Sequence, residues 1–118
     1  LLTSRGLGDV YKRQDLMRPS LYSARHKIEN LVESSEKKDL YSVVGPVCET
    51  ADSFGSDFEV SANAGDYLVV YSAGAYGSSM GSNYNTRLKP AEILVDQKSH
   101  KVIRKAETFD DLIKEEEL

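Results

Sequence analysis

The residues best suited to chemistry in this chain fall in three short stretches. Arg18 and Tyr22 lie four apart in DLMRPSLY (15–22), so a helical turn would set both on one side. A guanidinium offers a planar fork of donors that matches a carboxylate, and a tyrosine hydroxyl can add to that grip. Cys48 and Glu49 are adjacent in VVGPVCETAD (43–52). Glu49 can receive an ammonium. Cys48 follows a strand-like run ending in a turn, which would put its thiol at a sheet edge, whereas a buried lone cysteine would act as a small hydrophobe. Tyr76 stands between Gly74 and Gly77 in AGAYGSSMGSNYN (73–85). Glycines there would let the backbone approach a ligand closely. Each residue also has a plainer reading. Arg18 could pair with Asp15 on the surface, Tyr22 could be a core aromatic, Glu49 a solvated acid and Tyr76 a side chain in a flexible loop.

The elements that must position these residues are mostly short strands. Pro19 disfavours helix at Arg18, which is expected on an extended or turn segment, and Pro19 itself can open a helical turn to about Tyr22. Strands are expected over 26–32, over Leu40 to Val44, weakly over Phe58 to Val60, and most clearly over Tyr67 to Tyr71, a β-branched and aromatic run. Residues 73–85, with three glycines, read as loop. AEILV (91–95) and KVIR (101–104) read as a hairpin with its loop at 96–100. Thr108 should cap a terminal helix whose first turn carries Asp110 and Asp111, with Phe109, Leu112 and Ile113 on one face. The expected fold is therefore mostly β: a small Greek-key sandwich or barrel-like domain with short helical turns and one C-terminal helix.

Composition narrows the function. The 118 residues suit one domain, with 40% apolar and 29% charged residues. Fifteen basic residues face 19 acidic ones without clustering, which argues against nucleic acid as a partner. No apolar run approaches the roughly 20 residues needed to cross a bilayer. One cysteine and no recognisable secretory signal fit a reducing compartment, the cytoplasm. His26 and His100 are far apart and Cys48 is alone, so no metal site is expected. Residues 1–14, LLTSRGLGDVYKRQ, have no helical or strand period and resemble translated read-through of a sequencing-library adapter. The native sequence is expected to begin near Asp15, with one domain over 15–118.

Taken in order, DLMRPSLY, VVGPVCETAD, AGAYGSSMGSNYN and PAEILVD (90–96) resemble the diaminopimelate decarboxylases. These are barrel-type pyridoxal-phosphate enzymes. The resemblance runs from Asp15 to the C-terminus. It implies a (β/α)₈ barrel joined to a β-domain in a homodimer, with pyridoxal 5'-phosphate bound to a lysine of the barrel. It implies decarboxylation of meso-diaminopimelate to L-lysine, the last step of lysine biosynthesis. Arg18, Tyr22 and Glu49 match residues that bind the distal end of that substrate. Cys48 matches a cysteine that crosses the dimer interface to donate a proton. Tyr76 matches a tyrosine that reaches cofactor and substrate. Thr50-Ala51 departs from the Ser-Gly that often follows Cys-Glu. The chain has no counterpart of the barrel, so it is expected to be inactive alone. Two other readings stand beside this one: an ornithine or arginine decarboxylase homologue, which would need an acid but no arginine for the far end, and a non-catalytic β-domain for binding or dimerisation.

Overall fold

A computed structural model describes residues 12–32 and 37–117. The expected foreign segment therefore lies mostly outside the described residues. In chain order the elements are α1 (Lys12–Asp15), α2 (Arg18–Tyr22), β1 (Ile28–Asn30), β2 (Asp39–Val44), β3 (Ser53–Val60), β4 (Leu68–Val70), α3 (Gly74–Met80), a 3-10 turn (Tyr84–Thr86), β5 (Glu92–Asp96), β6 (Ser99–Arg104) and α4 (Phe109–Ile113). The described strands pair antiparallel as β1–β4, β2–β3 and β5–β6. The domain is β-rich, made of these small sheets with short helices between them, and the described strands do not close into a barrel.

The core lies where β1 and β3 meet the link between α1 and α2. Leu16, Ile28, Val43, Phe54 and Phe58 are buried together, with Val70 and Ala73 packed against them. β3 is the longest strand, although its polar residues suggest only a weak one at 58–60. Phe54, Phe58 and Val60 fall at even positions and turn inward, while Ser56 at the same parity stays exposed. That break coincides with two register shifts against β2, where Tyr41 faces Phe58, Val43 faces Gly55 and Val44 faces Ser53. β3 carries the extra residues, so it is bulged. Gly55 at φ +117° and Asp57 at φ +60° supply the backbone bends. Arg25 steadies them, donating to the carbonyls of Ser56 (3.1 Å) and Asp57 (2.8 Å) with its guanidinium 4.4 Å from the Phe58 ring centre.

Three further expectations are corrected. Arg18 is helical, since α2 begins there with Pro19 in its first turn. Residues 74–80 form a helix, not a loop. Its Gly77 serves close packing: a Cβ there would come within 2.9 Å of the Asp15 carbonyl oxygen. Glycine inside a helix costs about 1 kcal/mol of propensity, and contact with α1 offsets it. The hairpin loop is only Gln97-Lys98, because β6 begins at Ser99. The terminal helix follows expectation. The Thr108 hydroxyl accepts from the Asp111 backbone N–H (3.2 Å) and the Asp111 carboxylate accepts from the Thr108 N–H (2.8 Å), a reciprocal cap.

Candidate functional site

Arg18 opens α2 and Tyr76 sits in the first half of α3, 58 residues later. The Arg18 guanidinium carbon lies 4.3 Å from the Tyr76 ring centre. A partly exposed cation–π pair at this distance contributes about 0.5–1 kcal/mol.

Gln14 fixes the geometry behind the pair. It is 2% exposed, although the expected start of the native sequence at Asp15 would leave it outside the domain. Its carbonyl accepts from the Ser82 N–H (3.0 Å), and its amide donates to the Tyr84 carbonyl (2.7 Å). The end of α1 is thereby tied to the chain just beyond α3. The α1–α2 and α3 segments are held in one register, and Arg18 and Tyr76 with them.

Cys48 and Glu49 lie on the turn that links β2 to β3. Cys48 is exposed, which sets aside its reading as a packed hydrophobe. Glu49 is half-buried, and its Oε1 accepts from the Asn85 side-chain amide at 3.2 Å. Asn85 adopts φ +58°, a left-handed conformation that asparagine tolerates better than most residues. The bond from the Asn85 amide gives the carboxylate a fixed direction, which suits it to receive a cation.

Tyr22 occupies the last position of α2 and is 64% exposed, so it is not a core aromatic. The structure thus brings Arg18 to Tyr76 and Glu49 to Asn85, and it leaves Tyr22 without a hydrogen bond or ring contact among the described residues. An open concavity of about 660 Å³ between α2 and the start of β3, lined in part by Ser23, Arg25, Thr50 and Phe54, contains none of the five expected site residues. Among the described residues no cluster of three or more His, Cys, Asp or Glu side chains could hold a metal ion. No described helix is long and apolar enough to cross a membrane.

Sequence reasoning assigned no chemistry to Asn85 and passed over Asp52 and Gln14. Asparagine beside a turn was the only available sign for Asn85. Nothing in the sequence marks a glutamine or an aspartate as buried.

This β-rich architecture, with its tied Arg–Tyr pair and its turn carrying Cys48 and Glu49, has clear relatives. Residues 13–74 match the family described as pyridoxal-dependent decarboxylase, C-terminal sheet domain. That match covers just over half of the chain, and the chain belongs to this family. Within it, the chain is similar to diaminopimelate decarboxylases. It is 50% identical over 97 residues to that of Neisseria meningitidis serogroup B, covering 81% of this chain and 23% of the relative. It is 48% identical over 99 residues to that of Haemophilus influenzae, covering 83% and 24%. Among solved structures it resembles the diaminopimelate decarboxylase of M. jannaschii in co-complex with L-lysine (TM-score 0.82, 39% identity, 90% of this chain and 24% of that one). It also resembles that of Helicobacter pylori complexed with L-lysine (TM-score 0.77, 42% identity, 86% and 25%). The chain spans about a quarter of the length of these relatives.

Proposed function

We propose that this chain acts as the sheet domain of a diaminopimelate decarboxylase, supplying distal-substrate recognition and a proton to a site completed by a barrel. The observation that carries the reading is the Arg18–Tyr76 pair, a fixed guanidinium beside an exposed ring, built from two distant segments. meso-Diaminopimelate carries an ammonium and a carboxylate at each end. Arg18 grips the distal carboxylate, with Tyr22 one helical turn away to add its hydroxyl. Glu49, steadied by Asn85, receives the distal ammonium. Each such charge-assisted hydrogen bond contributes about 1.5–3 kcal/mol. An ornithine-like substrate would use the acid and leave Arg18 without a partner.

Pyridoxal phosphate, when bound, withdraws electrons from the α-carbon and lets carbon dioxide leave. Tyr76, whose ring is half-exposed beside Arg18, would contact that group. The described lysine side chains do not fit its covalent anchor. All but Lys89 are exposed, and Lys89 lies 3.8 Å from Glu107. Lys27 is held above the ordinary lysine range chiefly by its hydrogen bond to Glu29, which favours the ammonium over the nucleophilic amine. We place the anchor in the barrel, as the resemblance to this family implies.

The Cys48 thiol is exposed, and it delivers a proton to the substrate carbon after carbon dioxide departs. In a homodimer, this turn serves the barrel of the second copy. The three described sheets are read as parts of a Greek-key domain completed by the rest of that protein, working in lysine biosynthesis in the cytoplasm.

The test joins this chain to the complete barrel of one of these relatives. The joined protein should convert meso-diaminopimelate to L-lysine and carbon dioxide, the free chain should not, and Cys48→Ala should slow lysine formation in the joined protein. Unchanged lysine formation in that variant would return Cys48 to an ordinary surface residue.

A further inference from the structure

The turn that carries Cys48 and Glu49 is closed around one buried carboxylate. Asp52 is 3% exposed, although it lies in a polar stretch. The Gly45 N–H donates to the Asp52 carbonyl (2.8 Å), and the Asp52 N–H donates to the Glu49 carbonyl (3.0 Å). The side chain reaches back under the turn, where its Oδ2 accepts from the Val47 N–H (2.9 Å). Its Oδ1 is buried and accepts no hydrogen bond among the described residues. Gly45 makes room for the carboxylate, since a Cβ there would fall 1.9 Å from Oδ2.

We propose that Asp52 is the positioning residue for Cys48 and Glu49. The bond to Val47 N–H fixes the residue immediately before Cys48. The backbone bonds at Gly45 and Glu49 anchor the two sides of the same turn. Filling the space beneath Gly45 could be done by an apolar side chain with no orphaned oxygen. What the carboxylate adds is an acceptor aimed at one backbone donor of the turn. A small shift of a proton donor or a charged anchor lowers catalysis steeply, so a turn bearing both gains from being fixed. That consequence rests on the reading of Cys48 and Glu49 as substrate-facing residues, whereas the geometry of the turn does not.

The test uses the full chain without substrate, so it can fail while the proposed function stands, and the reverse also holds. Amide exchange of Val47 is followed by NMR, and a nitroxide on Cys48, the sole cysteine, reports local motion by EPR. Asp52→Ala should speed Val47 exchange by about tenfold or more, because a protected amide opens with its local hydrogen bond. It should also narrow the nitroxide spectrum while melting stays within a few degrees of the parent. Asp52→Asn, which keeps an acceptor oxygen of the same shape, should restore both readouts toward the parent. Gly45→Ala, which displaces the carboxylate without removing it, should loosen the turn as Asp52→Ala does. Unchanged Val47 exchange and an unchanged nitroxide spectrum in a folded Asp52→Ala or Gly45→Ala chain would overturn the proposal. Global unfolding of both variants would also overturn it, since Asp52 would then serve the whole fold and not this turn.

Discussion

The β2–β3 region and the β5–β6 hairpin are both antiparallel pairs rich in apolar residues, yet they end in opposite environments. In the first, Val43, Phe54, Phe58 and Val60 are buried. In the second, Ile93, Leu94, Val95, Val102 and Ile103 are all more than half exposed. β2–β3 is covered by α1, α2 and β1, which bring Leu16 and Ile28 onto it. The hairpin is held by its own ladder, by the Glu92–Arg104 ion pair (2.6 Å), and by a polar clip at its base. In that clip Glu107 accepts from the Lys89 N–H (2.8 Å) and from the Asn83 side chain. A β-branched apolar run thus establishes a strand without establishing that anything covers it.

Substitutions should separate the two regions by size of effect. Phe58→Ala should cost about 3–5 kcal/mol, seen as a large drop in chemical-denaturation midpoint, because it opens a cavity in the core and removes the ring under Arg25. A loss below about 1 kcal/mol would mean that β3 is no better packed than the hairpin.

Glu107→Ala should cost about 1.5–3 kcal/mol by leaving its donors unpaired. The Glu107 carboxyl is held below the ordinary glutamate range, chiefly by the Lys89 N–H. The native state therefore binds this proton less readily than the unfolded chain. The resulting stability is present above the unfolded pKa and fades as pH falls through the folded one. Glu107→Gln should flatten the acid side of the stability profile, and an unaltered acid limb would dissociate the clip from the hairpin.

Thr108→Ala should cost about 1 kcal/mol by removing half of the reciprocal cap on α4. Ile103→Ser should change stability by no more than about 0.5 kcal/mol, as an exposed position predicts. A large loss at Ile103 would show that the hairpin face is covered in solution.

The parts legible in the sequence were those governed by local rules. Tyr67 to Tyr71 and Leu40 to Val44 announced strands by their β-branched and aromatic content, and Thr108 announced a cap by its type and place. β3 was obscured because its bulges put Gly55, Ser56 and Asp57 amid the inward positions, hiding the period that links Phe54, Phe58 and Val60. α3 was obscured because glycine reads as flexible, whereas Gly77 is needed for contact with α1. For the candidate site, resemblance named Arg18, Tyr22, Cys48, Glu49 and Tyr76, but not the residues behind them. The side chains of Gln14, Asp52 and Asn85 act through hydrogen bonds across 5 to 70 positions, which no periodicity records.

The central claim is that Arg18 recognises a second carboxylate on the substrate. Its most direct measurement is kcat/KM of the barrel-joined protein, with and without Arg18→Ala, for meso-diaminopimelate and for an analogue lacking the distal carboxylate. The substitution should cost about 2–5 kcal/mol in transition-state binding for diaminopimelate, by stranding a charge whose partner is gone, and far less for the analogue. Equal losses for both substrates would contradict the account and make Arg18 a structural partner of Tyr76.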